Sequence, residues 1–200
     1  MQVSERADFV SQFFGIIIAA ALVNNLVLVQ LLGVSALFSY SNNLRNAIEL
    51  AWMSGSIMFA SAVINLLVGR WLLVPLQLEF LQLILFVVVS ASLAQLLLSQ
   101  LAPRLPHSFR RLGLEFCLIS GNSAIVGLSL LNMTSVGSIP HSINYSLGAA
   151  IGFGVLLVMF AALRERLETA DIPAPLRGAP IHLISAGIVA MCLLGFAGLV

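Results

Sequence analysis

The chain alternates long apolar runs with short polar segments, and the charged residues collect in the polar segments. A charge at the bilayer centre costs about 2.5–3.5 kcal/mol on insertion scales, so charges are pushed to the ends of membrane-spanning helices. Because about 20 apolar residues cross the hydrocarbon core, the charge-free runs predict six spans. They lie at about 13–38, 45–67 and 80–98, on either side of the polar stretch 132–144 within 116–163, and at 181–200.

Six spans divide into two halves of three, and an odd number of crossings makes the halves enter the membrane from opposite faces. The predicted fold is therefore an all-α integral membrane protein built as two inverted repeats. We expect a single polytopic domain over 1–200, with repeat one at about 9–101 and repeat two at about 112–200. In such folds the functional site often lies at the membrane midplane, where the first helix of each repeat is interrupted.

Both first helices contain residues that are typical of an interruption. In the first span these are Asn24, Asn25 and Gly33, and in the fourth span they are Gly121 and Asn122. Two interpretations of the amides are open. They form helix-to-helix hydrogen bonds, each worth about 0.6–2 kcal/mol, or they belong to breaks whose freed backbone groups face protein or a cavity.

Composition excludes a separate soluble domain, since 60% of the residues are hydrophobic and only 8% are charged. The nine basic residues give a net charge of only +1 and form no basic run, which argues against nucleic acid as a partner. No phosphate-binding glycine loop or nucleophile elbow is present, so we expect no autonomous catalytic site. The pair Gly148 and Gly152 has the small-xxx-small spacing that predicts close helix packing.

The arginines predict the orientation of the chain in the membrane. The loops after spans one, three and five contain seven of them, whereas the other side has only Arg6 and Arg70. By the positive-inside rule, the arginine-rich side is cytoplasmic and both termini lie outside.

Three stretches carry a family likeness: residues 22–33, residues 112–132, and residues 163–178 with the span that follows. Together they resemble the A-type membrane subunits of the Rnf (Rsx) electron-transport complex, relatives of the D and E membrane subunits of the sodium-pumping NADH:quinone reductase. The likeness runs nearly end to end. Its most specific part is the Arg-Glu-Arg to Pro-Ala-Pro-Leu-Arg-Gly segment.

The resemblance implies a multi-pass protein of the bacterial inner membrane, with periplasmic termini, that pairs with the paralogous E-type subunit. It also implies an intramembrane [2Fe–2S] cluster shared by the pair and held by cysteines of the interrupted helices. Those cysteine positions fall on Ser35 and Ser123 in this chain. Iron–sulfur clusters are held by thiolates, and a serine alkoxide forms far less readily than a thiolate, so the implied cluster lacks its usual ligands here.

The leading functional hypothesis is a membrane subunit that couples electron transfer to ion translocation in an Rnf-type complex. Two alternatives remain: a non-redox structural or assembly subunit of that complex, and a standalone inverted-repeat secondary transporter. A charged segment predicted to be a loop is the candidate for docking on the cytoplasmic side. It contains Arg164, Glu165, Arg166, Asp171 and Arg177.

Overall fold

The computed structural model of the chain describes residues 13–30, 32–34, 44–101, 122–134 and 138–195. These residues are helical or in short turns, which confirms the predicted all-α class. The helices are α1 (Phe13–Val23), α2 (Leu26–Val29), α3 (Leu44–Val68), α4 (Gln82–Leu101), α5 (Ser123–Thr134), α6 (Ile139–Glu168) and α7 (Ala179–Leu194).

Three helical stretches are long and apolar enough to cross a membrane: Ala47–Leu76, Glu79–Leu97 and Ile139–Glu168. Shorter apolar helices occupy the other three predicted spans. The predicted multi-span architecture is therefore confirmed. The proposed repeat boundaries stay a prediction.

The predicted interruption of the first span is present. Helix α1 ends in a π turn over Ala19–Val23, and α2 begins at Leu26 after the two non-helical residues Asn24 and Asn25. In the fourth span, α5 begins at Ser123, directly after the non-helical Asn122. Gly121 lies outside the described residues.

Two predicted connectors were placed wrongly. The second span does not end before Arg70: it continues through a π turn, Gly69–Leu73, to Leu76. A long arginine stem lets its charge reach the membrane surface while the backbone stays helical. The chain reverses instead at Gln77, which has a left-handed φ of 54°.

Within the second half, α5 extends to Thr134 and α6 begins at Ile139, so most of the stretch 132–144 is helical. Its polar side chains are satisfied by bonds between helices rather than by water, as the Asn132–Ser146 bond shows. Helix α6 also continues to Glu168, so the first residues of the predicted charged loop are helical.

Helices α3 and α6 cross at the centre of the fold, where small residues let the backbones approach. A Cβ added to Gly55 would lie 3.5 Å from the Ala150 carbonyl oxygen, and one added to Gly154 would lie 3.5 Å from Ala51 Cβ. Exchanging α3 with α6 exchanges these two contacts. Repeats related by a two-fold axis would produce this pattern.

Helix α1 packs equally closely on α6 through the predicted glycine pair. A Cβ at Gly148 would lie 2.6 Å from the Ile17 carbonyl oxygen, and one at Gly152 would lie 2.5 Å from that of Ala21. The prediction that these glycines serve close packing is confirmed. The contact also holds the end of α1, and therefore the interruption, against α6.

Candidate functional site

Asn25 joins the two parts of the first interrupted span. Its side chain is buried. The Oδ1 atom accepts a hydrogen bond from the Val27 N–H at 3.0 Å, and Nδ2 donates to the Ala21 carbonyl oxygen at 2.7 Å. One amide therefore caps the start of α2 and satisfies a carbonyl at the end of α1. A cap of this kind stabilises a helix by about 1 kcal/mol.

Asn122 plays the same part at the start of α5. It is buried, and its Oδ1 accepts a hydrogen bond from the Ala124 N–H at 3.1 Å. The helix-to-helix interpretation is therefore wrong for the bonds seen at Asn25 and Asn122, because both side chains bond to their own segments. Asn24 is exposed, and its backbone N–H closes the π turn by donating to the Ala19 carbonyl oxygen at 2.8 Å.

The two interrupted spans meet at a contact between Gly33 and Ser123. The Gly33 N–H donates a hydrogen bond to Ser123 Oγ at 3.0 Å, across 90 positions of sequence. Gly33 is buried and has a φ of +80°, and a Cβ there would lie 2.9 Å from Asn122 Oδ1 and 3.0 Å from Phe153 Cε2. We call Gly33, Asn122 and Ser123 the junction.

The junction is neutral and rich in oxygen. Ser123 is exposed on the surface of the protein, whereas Gly33 and Asn122 are buried, so the junction reaches the surface at its hydroxyl. Ser35, the other predicted cluster position, lies outside the described residues. The structure therefore brings together Gly33, Asn122 and Ser123, and it places Asn25 at the preceding break.

The described side chains do not fit an iron–sulfur cluster. Such clusters need thiolate ligands, whereas Ser123 offers a hydroxyl that already accepts the Gly33 hydrogen bond. Within the described ranges no group of three or more His, Cys, Asp or Glu side chains could hold a metal ion. Cys192, the cysteine on α7, is exposed.

The predicted docking residues lie apart from one another along the chain. Arg164, Glu165 and Arg166 are in the last turns of α6, whereas Asp171 and Arg177 belong to the connection that follows. Arg177 Nε donates a hydrogen bond to the Ile172 carbonyl oxygen at 3.0 Å. The connection between α6 and α7 is therefore held in a turn that leaves Asp171 and Arg177 exposed.

Sequence reasoning missed a second group of buried polar residues, centred on Asn65 of α3. The Asn65 amide donates to the hydroxyls of Ser90 and Ser129. A signal was present, because Ser54, Ser61 and Asn65 recur at a spacing that places them on one face of a helix.

Comparison with known proteins agrees with this architecture. Residues 13–200 match the family described as "Rnf-Nqr subunit, membrane protein". The chain belongs to the Rnf-Nqr family. The likeness inferred from residues 22–33, 112–132 and 163–178 is thereby confirmed.

Relatives of this Rnf-Nqr protein match it over most of both chains, and three of them share the name of the A-type subunit of an ion-translocating oxidoreductase complex. The relative from Alkalilimnicola ehrlichii is 42% identical over 185 residues, which is 92% of this chain and 96% of the relative. Proteins of the same name from Actinobacillus pleuropneumoniae serotype 5b and Pseudoalteromonas atlantica are 38% and 37% identical. They cover 92% and 95% of this chain and 96% and 98% of their own lengths.

Proposed function

We propose that this Rnf-Nqr protein is an integral membrane component of an ion-translocating oxidoreductase complex, in which electron transfer is coupled to ion movement. The observation that carries the proposal is the end-to-end match to relatives named as the A-type subunit of such a complex. The protein catalyses no bond formation of its own. It supplies part of the membrane framework through which the ion passes.

The partner that fits this role is the paralogous E-type membrane subunit, with the two proteins paired in the bacterial inner membrane. The exposed Ser123 supports this pairing, because it places one end of the junction at the protein surface. The excess of arginine on one side supports a cytoplasmic face for the end of α6 and periplasmic termini.

The neutral junction favours a second candidate, a non-redox subunit of the same complex. A hydroxyl and an amide occupy the place where the family resemblance implies cluster ligands. In this version the electrons pass through other subunits, and the chain serves assembly and ion passage alone. The two versions differ in one measurable quantity, the iron held by the membrane pair.

Purification of the tagged protein from native membranes tests the proposal. We expect redox subunits and a homologous membrane protein to co-purify. The chain purified by itself should show no ion uptake in liposomes. Purification without redox partners, together with substrate uptake by the chain by itself, would instead establish a standalone transporter.

Iron analysis and electron paramagnetic resonance of the same complex separate the redox from the non-redox version. The variant Ser35→Cys/Ser123→Cys is compared with the matched variant Ser56→Cys/Ser99→Cys, whose serines are exposed on α3 and α4. In the non-redox version, intramembrane iron and a cluster signal occur only in the first variant. A cluster signal from the wild-type membrane pair would support the redox version.

A further inference from the structure

Seven buried polar side chains form a continuous set among α3, α4, α5 and α6. Each is at most 1% exposed, and none carries a formal charge. We call this set the polar track. It consists of Ser61, Asn65, Ser90, Ser129, Asn132, Ser142 and Ser146.

Hydrogen bonds connect the polar track across four helices. Asn65 Nδ2 donates to Ser90 Oγ at 3.2 Å and to Ser129 Oγ at 2.9 Å. Asn132 lies three positions after Ser129 on α5, on the same face of that helix. Its Nδ2 donates to Ser146 Oγ on α6 at 2.7 Å, so the set has no apolar gap between α4 and α6.

Three oxygen atoms of the polar track have no hydrogen-bond partner among the described residues: Ser61 Oγ, Asn65 Oδ1 and Ser142 Oγ. The Asn65 amide is oriented, because Ser129 donates its own proton to the Ile125 carbonyl oxygen at 3.0 Å and accepts from Nδ2. Oδ1 therefore faces away from these hydroxyls. Buried polar atoms are almost always paired, so three open oxygens in one set indicate a ligand that oxygen binds.

The polar track leads from the start of α6 towards the junction. Ser142 lies in the first turn of α6, and its face of the helix continues through Ser146 to Phe153. The Phe153 ring lies 3.0 Å from where a Cβ on Gly33 would be. At 1.5 Å per residue, this face is about 16 Å long. That length is about half of the hydrocarbon core, which is about 30 Å thick.

We propose that the polar track is a hydrated half-path for a small monovalent cation between the α5–α6 end of the protein and the junction. The inference rests on the proposed function, and it names the part of the chain that the ion uses. Amide and hydroxyl oxygens replace part of a cation's water shell. The lack of a carboxylate in the track favours a monovalent ion, since divalent cations in proteins are usually held by carboxylates. Neutral ligands also bind weakly enough to release the ion.

Cysteine accessibility in native membranes tests the half-path. The variants are Ser61→Cys and Ser142→Cys, in a background carrying Cys117→Ala and Cys192→Ala. The controls are Ala62→Cys and Ala161→Cys, two fully buried apolar positions on the same two helices. Each variant is treated with a charged, membrane-impermeant methanethiosulfonate in vesicles of both orientations, and the tagged protein is isolated for mass analysis.

We expect the two track cysteines to react about tenfold or more faster than the controls, because the reagent attacks the thiolate, which forms in water and not in apolar packing. The reaction should occur from one side of the membrane. It should be slowed by Na⁺ and not by choline at the same ionic strength.

Equal, slow reaction at all four positions would show that the polar track is dry helix-to-helix bonding and would overturn the proposal. Fast reaction without Na⁺ protection would overturn the cation assignment and leave a water-filled pocket. Labelling precedes purification, so these outcomes do not depend on which proteins co-purify. Failure of the proposed function would show separately, as the absence of redox partners.

Discussion

Replacing Gly152 by leucine is expected to prevent the protein from folding. The new Cβ would lie 2.5 Å from the Ala21 carbonyl oxygen, 2.7 Å from Ala21 Cα and 2.9 Å from Asn25 Nδ2. Two of these atoms are backbone and cannot rotate away, so α1 must move off α6. Overpacking of a close contact costs about 1–3 kcal/mol, and loss of the Asn25 cap adds about 1 kcal/mol.

The measurement is the yield of monodisperse detergent-solubilised protein and its thermal midpoint. Gly187→Leu on α7 is the matched control, because a Cβ there meets nothing within 4 Å. We expect near wild-type yield for the control and almost none for Gly152→Leu. Equal behaviour of the two variants would mean that α1 does not pack on α6 at this glycine.

Replacing Gly33 by alanine is the second change with a large expected effect. Its φ of +80° is costly for any residue with a Cβ, by about 1–3 kcal/mol. The added atom would also lie 2.9 Å from Asn122 Oδ1 and 3.0 Å from Phe153 Cε2. Both costs fall on the junction, so we expect the free energy of unfolding to fall by about 3 kcal/mol.

The control for this prediction separates backbone strain from crowding. Gly178 also has a positive φ, +87°, but a Cβ there would meet nothing within 4 Å. Gly178→Ala should therefore lower the thermal midpoint less than Gly33→Ala does. A larger effect at Gly178 would show that the surroundings of Gly33 are open and that the junction is not packed as described.

The sequence predicted the spans because charge placement in a membrane is a local rule that holds at every helix end. It predicted the interruption at Asn24 and Asn25, since polar residues inside an apolar run are costly unless the backbone uses them. It did not predict which amide caps, because adjacent asparagines offer the same chemistry. Only packing against Gly152 shows that Asn25 is the buried one.

Connector boundaries failed where polar side chains serve the interior. Asn132 looks like a connector residue in sequence, but its partner, Ser146, is 14 positions away on the next helix. Asn65 and Ser129 are 64 positions apart, and Gly33 and Ser123 are 90 apart. No local pattern contains such pairs, so both the junction and the polar track emerge only when the helices are assembled.

The central claim is that the two interrupted spans meet, and oxidative cross-linking tests it most directly. Leu32 Cγ lies 3.4 Å from the position of a Cβ on Gly127 of α5. In Leu32→Cys/Gly127→Cys a sulfur would take the place of that Cγ, within the geometry of a disulfide. The comparison pair is Leu32→Cys/Gly187→Cys, both in the background carrying Cys117→Ala and Cys192→Ala. We predict a disulfide in the first pair and none in the second. Absence of a disulfide in the first pair, with the protein folded, would contradict the account.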